Sequence, residues 1–207
     1  MKSLQFDIAK QNIFFTSDLH FGHANIITFC DRPFGSVQEM EDGLITNWNT
    51  VVNKNDIVFI LGDFAFAQKS EWRRILSNLN GQLYLILGNH DKESYIPIDR
   101  YDRFIEIVDL LLIKIKDSSV SEKEHTFILS HRPLLTWEGR TTRNVKHLFG
   151  HLHTLSKNRI ITDHITPSAD NDMIPAIRPD QMYDVGVDNN EYTPVSIQTI
   201  LTYFNLA

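Results

Sequence analysis

Three short runs of large apolar residues end in the same kind of chemistry, and this pattern constrains the fold more than any other feature of the chain. Ile13-Phe14-Phe15 leads into Ser17-Asp18-Leu19-His20, Ile57 to Leu61 ends in Gly62-Asp63, and Leu83 to Leu87 ends in Gly88-Asn89-His90-Asp91. Apolar runs this short, bounded by glycine and polar residues, read as strands buried on both faces. Helical periods separate them. Ser36 to Val52 carries Met40, Leu44, Ile45, Trp48 and Val52 at helical intervals, behind a Ser36/Glu39 pair with capping-box spacing. Ser70 to Leu79 puts Trp72, Ile75, Leu76 and Leu79 on one side. The β-α-β-α-β order predicts a layered α/β fold with parallel strands. Ligand sites in open α/β sheets sit at the carboxyl ends of strands. Asp18, His20, Asp63, Asn89 and His90 are therefore expected to converge, although they are far apart in sequence.

The second half reads richer in strand. Phe104 to Val108, Leu110 to Ile115, Thr126 to Leu129 and a weaker piece at Val145 to Phe149 all fit, with polar Lys116 to Glu124 as a hairpin turn. Ser130-His131 follows one of these runs and Gly150-His151-Leu152-His153 another, which adds three imidazoles at strand ends. Ser156 to Pro179 has Pro, Asp and Asn without periodicity and reads as a long loop. Lid, interface and plain loop are all open for it. Tyr183 to Val187 reads as a strand and Ser196 to Tyr203 as a last helix.

The bulk properties bound the function. A chain of 207 residues predicts one domain spanning 1–207. A formal net charge of -6 disfavours tracking long nucleic acid, which needs a basic surface, although bound cations would offset part of that charge. The lone cysteine, Cys30, cannot form an internal disulfide and reads as packing. Neither a secretory leader nor a membrane-length apolar segment is evident, so a cytoplasmic protein without a membrane partner is expected. The oligomeric state is not legible.

Aspartate, histidine and asparagine at converging strand ends suit divalent metals. Imidazole and carboxylate donors fit manganese, iron and zinc, and the lack of cysteine in the set argues against a structural zinc site. A carboxylate such as Asp63 can give one oxygen to each of two cations, and two cations close together can hold a phosphate and an attacking water in line. Singly the pieces mean little, since Asp-x-His is common and Gly-Asp is usually a turn. Five such blocks at strand ends, in one order, are hard to produce by chance.

That series, Asp18-x-His20, Gly62-Asp63, Gly88-Asn89-His90-Asp91, His131 and Gly150-His151-x-His153, resembles the signature of the calcineurin-like metallophosphoesterases. The wording Asp18-Leu19-His20-Phe21-Gly22-His23, Asn25-Ile26-Ile27, Arg32-Pro33-Phe34 and Gly186-Val187-Asp188 is similar to small bacterial and phage members. The resemblance implies a four-layer α/β/β/α sandwich of two mixed sheets flanked by helices. It implies two divalent ions, foremost Mn²⁺, with Fe, Zn or Ni as alternatives. Asp18, His20, Asp63 and His153 would hold one ion, and Asp63, Asn89, His131 and His151 the other. His90 would be the catalytic imidazole and Asp91 its charge partner. The reaction implied is hydrolysis of a phosphate ester by metal-activated water.

Outside the signature, His23, Arg32, Arg132 and Arg140 are candidates for substrate contact, the arginines because a guanidinium fork matches a phosphate. Arg143 has the same chemistry, and Trp137 either stacks on a nucleobase or shields the pocket. His125, His147 and His164 read as structural or surface residues. The expected substrate is a small phosphodiester or nucleotide. A phosphomonoesterase, acting on nucleotide or protein, and a non-catalytic scaffold of the same fold are the alternatives. An unrelated two-metal hydrolase fits the Gly-Asn-His-Asp block poorly.

Overall fold

The computed structural model describes residues 1–91, 103–153 and 180–206. The expected loop at 156–179 lies outside them. In chain order the elements are β1 (Lys2–Asp7), β2 (Ile13–Thr16), α1 (Ala24–Phe29), α2 (Val37–Val51), β3 (Ile57–Ile60), α3 (Lys69–Asn78), β4 (Gln82–Ile86) and β5 (Phe104–Val108). They continue with β6 (Leu110–Asp117), β7 (Ser121–Ser130), β8 (Lys146–Phe149), β9 (Met182–Asp184), β10 (Val195–Ser196) and α4 (Ile197–Tyr203). A short 3-10 turn, Val187–Asn189, sits between β9 and β10.

Two mixed sheets flanked by helices result, with strand orders β10-β2-β3-β4-β5 and β1-β6-β7-β8-β9. In the first, β2 to β5 are parallel and only β10 is antiparallel. Its strands are apolar on both faces, and each face has its own partner. Phe14, Val58, Ile60, Leu83 and Leu85 face the helices and meet Met40, Leu44 and Trp48 of α2 and Trp72, Ile75 and Leu76 of α3. Phe15, Ile57, Phe59, Tyr84 and Ile86 alternate with them and face the second sheet, where Leu111, Ile113, Phe127 and Leu129 wait. This is the period of two that strands impose. Helix α4 adds Ile197, Ile200 and Leu201 to the same inter-sheet core. Trp137 lies 8 % exposed against Ile128 and Phe149 on the outer side of the second sheet.

Boundaries differ from the sequence reading in instructive places. Ser36 caps α2, its hydroxyl accepting from Glu39 N at 3.1 Å, but the Glu39 carboxylate reaches back to Gly35 N rather than to the cap residue. Strand β1 was not expected, because its outer residues are exposed and polar; it is an edge strand paired only with β6, in parallel. The Tyr183 to Val187 run stops being strand at Asp184, where that carboxylate accepts from Gly186 N at 2.8 Å and starts a turn. Among the described residues no helix is long and apolar enough to cross a membrane.

Candidate metal centre

Strands β2, β3 and β4 run parallel, so Asp18, Asp63 and Asn89 leave the same edge of one sheet. Strands β7 and β8 are parallel as well, and deliver His131, His151 and His153 from the other. The turns are stitched to one another: Asp18 N donates to Gly62 O at 3.0 Å, His20 N to Asp63 O at 3.0 Å, and Gly150 N to His131 O at 2.9 Å. Asp18 Oδ2 accepts from His151 N at 2.8 Å, tying the two sheets together.

This stitching forces unusual backbone. Asp18, His20, Asp63, His151 and His153 all adopt positive φ, from 48° to 76°. Left-handed backbone costs a non-glycine residue on the order of 1 kcal/mol or more, and it persists only where the surroundings over-determine it. Two glycines allow the close approach. A Cβ on Gly88 would run into Asp63 Oδ1, and one on Gly150 into Ser17 Oγ and Asp18 Oδ2.

Among the described residues two donor clusters built on the strand-end residues share Asp63. Asp18, His20, Asp63 and His153 offer ligand atoms within 4.8 Å of one another, and so do Asp63, His131 and His151. Asp63 Oδ2 lies 3.5 Å from His20 Nε2 and 3.5 Å from His131 Nε2. Asn89 joins the second group, its Oδ1 3.0 Å from His131 Nε2. His131 Nδ1 faces Leu61 O at 2.8 Å. A carbonyl only accepts, so Nδ1 carries a proton; Nε2 faces the Asn89 amide oxygen and the Asp63 carboxylate, and it is the nitrogen that would give up its proton to a cation. His153 is set the same way, Nδ1 donating to Asp188 Oδ2 at 2.9 Å.

The residues fit divalent cations on two observations. Asp18 Oδ1 is buried and without a hydrogen-bond partner, and a buried acceptor left unpaired is costly. His20 Nε2 and His153 Nε2 face each other at 3.2 Å, two ligand nitrogens aimed at one place. The electrostatics agree. Burial pushes the Asp18 carboxyl up, against the nearby His153 and His131. Burial also drives His20 down to about 3, leaving the neutral, ligating imidazole. Burial opposes charge on His153 too, yet the Asp188 hydrogen bond and neighbouring groups lift it to about 10, and His131 rises through Asp63 and Asp18. The cluster calls for positive charge, and a bound cation would displace those protons.

Three expectations need correction. Asp91 is not seated as a partner of the His90 ring. Its carboxylate is 3 % exposed and accepts from Asp63 N at 2.6 Å, Phe64 N at 2.9 Å and Gly88 N at 2.9 Å. It clamps the β3 turn to the β4 turn. Among the described residues the acid paired with the His90 ring is Asp63, with His90 Nε2 3.9 Å from Oδ2 and the imidazole 41 % exposed. Arg32 is not free for phosphate: its guanidinium is buried, paired with both Asp188 oxygens at 2.8 and 2.9 Å, and donates to Asp18 O at 2.7 Å. Arg140 is also committed, to Gln181 Oε1 at 2.8 Å, Leu135 O at 2.7 Å and the face of Trp137. Trp137 itself is buried, donating to Val145 O.

Arg132 is exposed and lines a cavity of about 310 Å³ with Gly88, Asn89, Asp109, Ser130 and His131. His23 is half-buried, its ring 5.4 Å from that of His20. His147 is structural, with Nδ1 donating to Ile128 O and Nε2 accepting from Leu134 N, each at 3.1 Å. Cys30 is buried as expected, but beside His153 and Asp188.

Asp188 was missed as a working residue. The only signal was its place in Gly186-Val187-Asp188. Burial disfavours its charge, but His153 and Arg32 together hold its carboxyl below the usual range. Arg32→Met should therefore destabilise the protein by about 3–5 kcal/mol, the cost of stranding a buried carboxylate. It should also weaken metal binding roughly 10–100-fold, because Asp188 orients the His153 imidazole. Urea unfolding and calorimetric Mn²⁺ titration read the two effects. A variant of unchanged stability and affinity would remove Arg32 and Asp188 from this role.

Known proteins resemble this chain in sequence and in fold. The profile of the calcineurin-like phosphoesterases matches residues 12–180. An uncharacterized protein of Methanocaldococcus jannaschii is 47% identical over 87 residues, 41% of this chain and 49% of that protein. The gene 66 protein of Mycobacterium phage L5 is 39% identical over 83 residues, 39% of this chain and 40% of that protein. The chain thus spans about half or less of the length of these relatives. A crystal structure of a protein of unknown function from Aquifex aeolicus superposes with a TM-score of 0.59 at 25% identity, covering 93% of this chain and 98% of that one.

Proposed function

The chain belongs to the calcineurin-like phosphoesterase family, and from that premise we propose that it hydrolyses a small phosphodiester or nucleotide at a centre of two divalent cations. The observation that carries this reading is the sharing of Asp63 by both donor clusters. Asp18, His20, Asp63 and His153 would hold one ion, and Asp63, Asn89, His131 and His151 the other. When bound, the ions supply charge that draws in the phosphoryl oxygens and lowers the pKa of a water. Mixed imidazole and carboxylate donors favour Mn²⁺, with Fe, Zn and Ni next.

The chain's own groups do the rest. Asp63 Oδ1 accepts from His90 N at 2.9 Å, so the residue beneath the bridging carboxylate also anchors the imidazole. The His90 ring is more exposed than those of His20, His131 and His153, and it hands a proton to the departing oxygen. Asp91 acts through the backbone, holding the two turns that carry Asp63 and His90. Arg132, at the rim beside Asn89, receives the ester group that stays on phosphorus.

The test is hydrolysis of bis-p-nitrophenyl phosphate and p-nitrophenyl phosphate by metal-stripped protein, with Mn²⁺, Zn²⁺, Ni²⁺ or Mg²⁺ added back. Metal-dependent turnover, fastest with Mn²⁺ and greater on the diester, is expected. A higher rate on the monoester would turn the reading to a phosphomonoesterase. Absence of turnover with two ions bound would favour a scaffold of the same fold.

A further inference from the structure

An aromatic platform leads from the metal centre to the surface, and the proposed chemistry makes no use of its outer rings, His23, Phe66 and Phe29. His20, His23, Phe66 and His90 form a closed circuit of rings. The centroid separations are 5.4 Å for His20–His23, 4.9 Å for His23–Phe66, 5.7 Å for Phe66–His90 and 5.5 Å for His90–His20. Phe29 extends it outward, 6.4 Å from His23. Phe66 is 50% exposed and Phe29 74% exposed. Water contact with so much apolar area is unfavourable, at about 25 cal/mol per Å². Contiguous apolar surface of this kind beside a site marks ligand contact.

The platform is built on fixed backbone. Phe66 N donates to Phe21 O at 2.8 Å, and Phe21 bridges to Ala65. Gly22 has φ +80°, and a Cβ there would press on Ala67 Cβ and Phe66 O. Only glycine lets the Phe66 loop lie directly on the His20–His23 loop. Beyond Phe66 opens a cavity of about 360 Å³, lined among the described residues by Phe66, Ala67, Gln68 and Lys69. The polar cavity at Asn89 and Arg132 has a different lining.

We propose that Phe66 and Phe29, with His23, form a stacking subsite for a nucleobase carried by the leaving group of the phosphoester. The inference rests on the phosphoesterase reading and narrows its substrate class. Phe66 touches the imidazole that protonates the leaving oxygen, and Phe29 stands beyond His23, on the far side of that ring circuit. The stacked plane is therefore set back from the scissile bond, as a base is set back by its sugar, and not joined to it as an aryl ester is. Aromatic faces accept any base, each stack being worth about 1–3 kcal/mol, so selectivity for a nucleoside rather than for one base follows. A mononucleotide and the end of a strand offer the same chemistry.

The experiment compares kcat/KM for adenosine 2′,3′-cyclic phosphate, glycerol 1,2-cyclic phosphate and p-nitrophenyl phosphate in the wild-type protein, Phe66→Ala and Phe29→Ala. It adds quenching of 2-aminopurine riboside 5′-monophosphate in the presence of Mg²⁺ as a readout independent of turnover. The wild type should prefer the nucleoside cyclic phosphate over the glycerol one by about 5- to 150-fold, the range that one stack supports. Each variant should lower that preference, chiefly through KM, and weaken quenching. Both phenylalanines are exposed, and circular dichroism checks that the variants fold. Competition by a single-stranded pentanucleotide well below the mononucleotide concentration would support the subsite and name the strand end as its source. Equal rates on the two cyclic phosphates, or a preference only for the aryl ester, would overturn the subsite and leave the phosphoesterase reading standing. Failure of every ester to turn over would defeat that reading, and quenching would then decide the subsite alone.

Discussion

Asp63→Asn should release both metal ions together. Asp63 Oδ2 faces both donor clusters while Oδ1 accepts from His90 N, and an amide in its place keeps the shape but loses the charge that a shared oxygen would offer two cations. Asp63 sits in both clusters, 3.5 Å from His20 on one side and from His131 on the other. Its charge is also the better held one. Burial opposes it, yet the His131 hydrogen bond and charge, with the His90 amide, keep it well below the ordinary carboxylate range. Two ions supply several kcal/mol of transition-state stabilisation, so turnover should fall by about 10³-fold or more. Metal analysis after gel filtration, beside a calorimetric titration, reads the binding directly. Two ions at full occupancy in the variant would end the bridging assignment, whatever the activity did.

His90→Ala should do the reverse, leaving the ions in place and removing the rate. The His90 ring is outside both donor clusters, and its side chain is 41 % exposed, so little packing is lost. A positioned general acid contributes about 10²–10⁴-fold. The loss should be full on alkyl esters, whose leaving oxygen needs a proton, and small on nitrophenyl esters, whose leaving group departs as an anion. A scaffold would keep its biological activity in this variant. An equal loss on both ester classes would argue against proton donation and for a role in holding the phosphate.

Much of the centre was legible in the chain because strand ends are local facts. Ile57 to Leu61 is too short and too apolar for anything but a buried strand, and Gly62-Asp63 can only follow it. Parallel strands put their ends at one edge, so Asp18, Asp63 and Asn89 had to meet. The same reasoning placed His131, His151 and His153 at strand ends of the second half. The wrong readings have one origin. Arg32 on a loop looks available to phosphate until Asp188, 156 residues later, is found against it. Asp91 beside His90 looks like its partner until its carboxylate is seen to accept three backbone N–H groups from two turns.

The sequence by itself determined which residue types follow which apolar runs, and with them a parallel α/β layer whose strand ends carry Asp18, Asp63 and Asn89. Periodicity and turn chemistry act between near neighbours, and those are written in order along the chain. The tertiary structure alone decided the partners: the left-handed turns at five donors, the Arg32–Asp188–His153 connection, and the aromatic platform joining His20 to Phe66 and Phe29. A buried polar group takes whatever donor or acceptor the fold brings within reach, and that choice is made in space, between residues that no local pattern relates.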